Sequence, residues 1–131
     1  MLFSVEKLPN EPIMFTVLGD EYSIAADVEK TIAEIHRVLD TCTEKVYSIT
    51  DITHLSFNAT DVVYGANAVT RQFQVLKHPK IIENIIITQN SIMKLAADGV
   101  NRPIFGNIKV QVFATAEEAF VYVRGKIAEQ T

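Results

Sequence analysis

The hydrophobic period of this chain switches repeatedly between two residues and 3.6 residues, and that alternation is the strongest constraint on its fold. Phe3 to Lys7 alternates, and Ile13 to Leu18 is apolar and partly β-branched. Pro9-Asn10-Glu11-Pro12 between them is turn-like, so the two read as a strand pair. Ile24, Val28, Ile32, Ile35 and Leu39 then fall at helical spacing, with Ser23 or Asp20 placed to cap them. Lys45 to Ile52 reads as a strand, and Asn58 opens a second helix. Asp61 follows three residues later as in a capping box, and Val62, Ala66, Val69, Phe73 and Leu76 form its stripe. His78-Pro79 stops that helix, because the residue before proline avoids the helical region. His78 itself reads as a helix-end residue, where a cation is favoured.

The pattern repeats twice more. Ile81 to Thr88 is a strand, and Asn90 or Ser91 caps a helix carrying Ile92, Leu95, Ala96 and Val100. Ile108 to Ala114 is the last strand. Thr115-Ala116-Glu117-Glu118 is a capping box, and Ala119, Phe120, Val123 and Ile127 make the last stripe. The expected order is therefore β-β-α-β-α-β-α-β-α. It implies an α/β fold: a mostly parallel five-stranded sheet, with the first strand antiparallel at or near an edge, flanked by four helices. No linker, repeat or low-complexity tract interrupts it, and 131 residues correspond to about one domain, so residues 1–131 are expected to form a single unit.

Composition narrows the class. The longest unbroken apolar run is five residues, Ala119 to Val123, and a membrane span needs about 20. Glu6-Lys7 breaks the start too early for a signal peptide, so a cytoplasmic protein is expected. The single Cys42 has no partner for an internal bridge and reads as an inert structural thiol. The net charge of −4 argues against nucleic acid. It divides unevenly: residues 1–65 hold 11 acids and 4 bases, and residues 66–131 hold 5 acids and 8 bases. The basic residues of the second half are scattered as on an ordinary solvated surface; the sharper reading is a face suited to an acidic partner.

No catalytic constellation emerges. The five glycines form neither a dinucleotide fingerprint nor a P-loop. His36, His54 and His78 lie 18 and 24 residues apart, with no cysteine pair to complete a zinc site. No nucleophile elbow surrounds a serine. The expectation is a non-enzymatic protein with no metal and no cofactor. What stands out is one edge: Asp51 ends a strand where α/β proteins usually place their sites. His54 follows in the loop, and Ser56 and Thr60 bracket the start of the second helix. Each also has a structural reading, since such residues commonly satisfy loop amides and helix starts.

The element order and the segment Val46-Tyr-Ser-Ile-Thr-Asp-Ile-Thr-His-Leu-Ser-Phe-Asn-Ala-Thr-Asp-Val62 resemble the STAS domain, the fold of bacterial anti-sigma factor antagonists. The segment His78-Pro79-Lys80-Ile81, with Lys94-Leu95-Ala96 and Val112 to Ala119, looks like the SpoIIAA-like, or STAS/SEC14-type, group of small bacterial proteins. Asn58-Ala59-Thr60-Asp61 stands where antagonists carry Asp-Ser-Ser-Gly. Thr60 takes the place of the phosphorylated serine, while the other three positions differ. The resemblance implies a regulatory or interaction module. Its partner, an anti-sigma-factor-like kinase in the antagonists, would bind near Asp51, His54, Ser56, Asn58 and Asp61. SEC14-type topology implies a second reading, a small apolar or lipid-like ligand between sheet and helices. A homo-oligomer is compatible with either.

Overall fold

Phe3–Lys7 (β1) and Ile13–Leu18 (β2) pair antiparallel, from Phe3 opposite Leu18 to Lys7 opposite Met14. The short loop between them leaves no other geometry, because a parallel return needs a crossover of a dozen or more residues. Asn10 takes the tight left-handed position, at φ 62°, which asparagine tolerates better than most side chains. Leu8 N–H donates to Ile13 O at 2.9 Å and closes the loop. The computed structural model describes residues 2–55, 78–89 and 110–129.

Ile24–Thr41 (α1) carries the chain to Val46–Asp51 (β3), which pairs parallel to β2. Ile81–Ile87 (β4) and Val110–Phe113 (β5) add two further parallel pairings, and Ala116–Glu129 (α2) ends the described chain. The strand order is β1-β2-β3-β4-β5. The sheet is therefore mixed rather than mostly parallel, with the first strand antiparallel at an edge as expected: the hairpin loop dictates that antiparallel pairing, and the α1 crossover carries the chain into a parallel one. Two helices, not four, are found among the described residues. The second and third expected helices, over 58–77 and 91–100, lie outside them.

The helices lie on opposite faces. Ile13, Tyr47, Ile49, Ile85 and Ile87 bury one face against Ala119 and Val123 of α2. Met14 and Val46 bury the other against Val38 and Leu39 of α1 and Cys42 just after it. The side chains alternate between layers because strand period is two. Phe15 meets Phe120 edge-on, with ring centroids 5.2 Å apart, and extends the α2 layer towards the hairpin. On α1 the expected stripe is present at Val28, Ile32, Ile35 and Leu39, but Val38 joins Leu39 in the core, so the apolar face is wider than a single line.

The helix starts follow their chemistry. Ser23 Oγ accepts from Ala26 N–H at 3.3 Å, and Asp27 Oδ2 accepts from Ser23 N–H at 2.8 Å. Thr115 Oγ1 accepts from Glu118 N–H at 3.2 Å at the start of α2. These side chains satisfy amides that no helical carbonyl reaches.

Candidate functional site

The loops after β2, β3, β4 and β5 gather at the carboxyl edge of the sheet. Backbone bonds tie them together: Ile52 N–H donates to Ile87 O at 3.0 Å, and Thr88 N–H donates to Phe113 O at 2.9 Å. Asp51 ends β3 and folds its carboxylate back onto its own loop. Its Oδ1 accepts from Thr53 N–H at 2.9 Å and from Thr53 Oγ1 at 2.7 Å. That is an Asx turn, in which the side chain imitates a backbone carbonyl. It fixes the path of residues 52–55 and leaves His54 exposed at the tip.

His54 Nδ1 lies 3.6 Å from Asp20 Oδ1, bringing the loops after β2 and β3 together. Both side chains are largely in solvent, so this pair contributes little stability. Its importance is positional: a carboxylate and an imidazole stand side by side on the surface. Ser56, Asn58, Thr60 and Asp61, the other residues expected at this edge, lie outside the described residues.

One step into the interior, the α1 face of the sheet carries polar side chains. Register sets Thr16 opposite Thr50 and Ser48 opposite Asn84. All four share a face with Met14, since same-face residues recur every second position. Thr16 is fully buried and its hydroxyl has no hydrogen-bond partner among the described residues. Just before α1, the Tyr22 hydroxyl donates to Thr31 Oγ1 of the helix at 2.7 Å, and Thr31 in turn donates to Asp27 O at 2.9 Å. Burial above all pushes the Tyr22 hydroxyl to a higher pKa. Among the described residues no group of three or more His, Cys, Asp or Glu side chains could hold a metal ion. Likewise none of the described helices is long and apolar enough to cross a membrane.

Several relationships escape sequence reading. Asp27 looks like a solvated residue beside the α1 stripe, yet it is buried and caps the helix. Its spacing of four from Ser23, rather than three, hides it from the capping-box pattern. His78 behaves opposite to the expectation for a helix-end cation: burial first, then His36 and Lys80, hold its pKa below the ordinary value. Its ring centroid lies 5.6 Å from that of His36, a neighbour 42 positions earlier that no local pattern links to it. Cys42 is buried and donates its Sγ hydrogen to Val38 O at 3.3 Å.

No family model matches the sequence, and no curated protein matches it either. A solved structure does. A DUF3478-family protein from Shewanella loihica PV-4, described as uncharacterized and as having a SpoIIAA-like fold, superposes with a TM-score of 0.57. The match covers 92% of this chain and 91% of that one, at 14% sequence identity. The fold is SpoIIAA-like. At that identity the likeness concerns architecture, and function has to be argued from the edge itself.

Proposed function

We propose that this chain is a non-enzymatic STAS-type regulatory module that docks a protein partner at the carboxyl edge of its sheet. The docking surface comprises the loop after β3 and residues 56–61 that follow it. The observation that carries the reading is the Asp51–Thr53 turn, which holds residues 52–55 in one shape and presents His54 beside Asp20. A loop fixed before binding loses less entropy on docking than a free one. The SpoIIAA-like architecture supports the same reading by analogy. The apolar-ligand alternative is less favoured, because the α1 face of the sheet carries Thr16, Ser48, Thr50 and Asn84 where an apolar guest would need apolar walls.

In this reading Thr60 is the candidate phosphoacceptor, and an anti-sigma-factor-like kinase is the partner class. The setting is the cytoplasm. Affinity capture from native lysate tests it, using wild type, His54→Ala, Thr60→Ala and Thr60→Glu. The expected result is one partner recovered by wild type and lost with His54→Ala. Loss with Thr60→Glu alone among the Thr60 variants assigns the switch. Equal recovery by all four proteins refutes docking at this edge. Native mass spectrometry of the same preparation covers the alternative: a bound apolar species would replace this reading with ligand carriage.

A further inference from the structure

At the opposite, amino edge of the sheet, His78-Pro79-Lys80 turns the chain into β4. Lys80 is the hub of that corner. Its ammonium donates to Leu39 O at 2.9 Å and Cys42 O at 3.1 Å, at the C-terminal end of α1. Its carbonyl accepts from Val46 N–H, at the start of β3, at 2.7 Å. Its own N–H donates to His78 Nδ1 at 3.1 Å. The imidazole of His78 thus closes the turn as an Asx side chain would, and rests against His36 of α1 with ring planes 58° apart.

We propose that His78, seated against His36, is a proton-sensitive latch that holds the end of α1 to the turn entering β4 and lets it go on acidification. The geometry requires an unprotonated Nδ1, because that atom accepts a hydrogen bond. A proton placed there faces the Lys80 N–H, donor against donor. It also adds a cation beside the Lys80 ammonium and a second imidazole. The ionisable groups facing His78 among the described residues are His36 and Asp40 from α1 and Lys80 from its own turn. Burial, His36 and Lys80 oppose the charged ring, and Asp40 alone favours it.

The sign follows. With its folded pKa depressed, His78 contributes stability that is present above the ordinary value of 6.5 and lost as pH falls below it. The unfolded ring takes up its proton first, so acid favours the released state. The loss reaches several elements at once, because one residue, Lys80, touches α1, β3 and the turn.

Proton NMR of the full chain tests this, following the His78 ring and the Lys80 amide between about pH 7.5 and 5, a window spanning the ordinary histidine pKa. The expected His78 midpoint lies below 6.5. Lys80 amide protection, corrected for the intrinsic pH dependence of exchange, should fall about tenfold as His78 protonates, in step with the ring signal. His78→Asn supplies a non-titrating acceptor two residues before the amide, and should keep Lys80 protected throughout. His36→Asn should raise the His78 midpoint. A His78 midpoint at or above 6.5 overturns the latch, as does Lys80 protection that ignores His78 titration in the wild type. Should His78→Asn fail to fold, the two wild-type readouts still decide the matter.

Discussion

The hydroxyl of Tyr122, on α2, donates to the carboxylate Oε1 of Glu83, on β4, and pins the helix to the sheet beside the buried Val123. Burial first, then the hydrogen bond to Glu83 and its negative charge, push the Tyr122 pKa far above its ordinary value of 10.0. A raised pKa on a neutral acid means stability that is present below pH 10.0 and lost as the solution becomes more alkaline. Of the four tyrosines, Tyr122 should be among the last to ionise in an ultraviolet-monitored alkaline titration. Glu83→Gln should bring that late step down in pH by removing the carboxylate charge. Tyr122→Phe should abolish it and cost about 1 kcal/mol at neutral pH, as for a half-buried hydrogen bond. A titration curve unchanged by Glu83→Gln would mean that the carboxylate does not set the ionisation.

The start of α1 gives a second test. Ser23 and Asp27 both satisfy amides at the N-terminal end of the helix, the Ser23 hydroxyl accepting from Ala26 N–H and the Asp27 carboxylate from Ser23 N–H. Ser23→Ala should cost about 1 kcal/mol in urea denaturation. Asp27→Ala should cost more, because it strips both the acceptor for Ser23 N–H and a buried side chain. If the two substitutions cost the same singly and together, the pair acts as one cap; simple addition would show two independent ones.

These cases show what a linear reading reaches. The five strands lie close to where alternation and β-branched runs place them, and the α1 and α2 stripes appear at Val28, Leu39, Ala119 and Val123. Periodicity reports which face is buried, and burial is what fixes register. It says nothing about which distant side chain shares a corner. Asp51 was visible as a polar residue ending a strand, but its use in closing its own loop depends on the backbone path of residues 52 and 53. His54 beside Asp20 joins two loops separated by all of α1 and β3. The His36–His78 contact is equally non-local, and Asp27 is masked by its charge, which reads as solvent-facing until its hydrogen bond is known.

Lys80 offers a third measurement, independent of any proton. Its ammonium gives hydrogen bonds to two carbonyls at the end of α1, where positive charge is favoured by the helix dipole. Lys80→Met keeps the aliphatic stem and deletes the donors. The expected loss is about 1 to 2 kcal/mol, with an unchanged urea dependence, since the same surface is exposed on unfolding. A loss below about 0.5 kcal/mol, the range of an ordinary surface change, would show that water replaces the ammonium without penalty.

Thr16 supplies the last test, because it breaks the rule that buried polar atoms have partners. Its side chain is fully buried on β2, and its hydroxyl has no hydrogen bond among the described residues. Valine has nearly the same shape, with a methyl group where threonine has the hydroxyl. Removing an unsatisfied hydroxyl recovers its desolvation penalty without opening a cavity, so Thr16→Val should stabilise the protein by about 1 kcal/mol. Thr16→Ser deletes the methyl instead and keeps the hydroxyl; it should destabilise by about 1 kcal/mol through lost burial. Thermal or urea denaturation of both variants separates the outcomes. A Thr16→Val protein less stable than wild type would reveal that the hydroxyl does bond something in solution. It would then join Ser48, Thr50 and Asn84, its neighbours on that face by register, as part of a polar interior site.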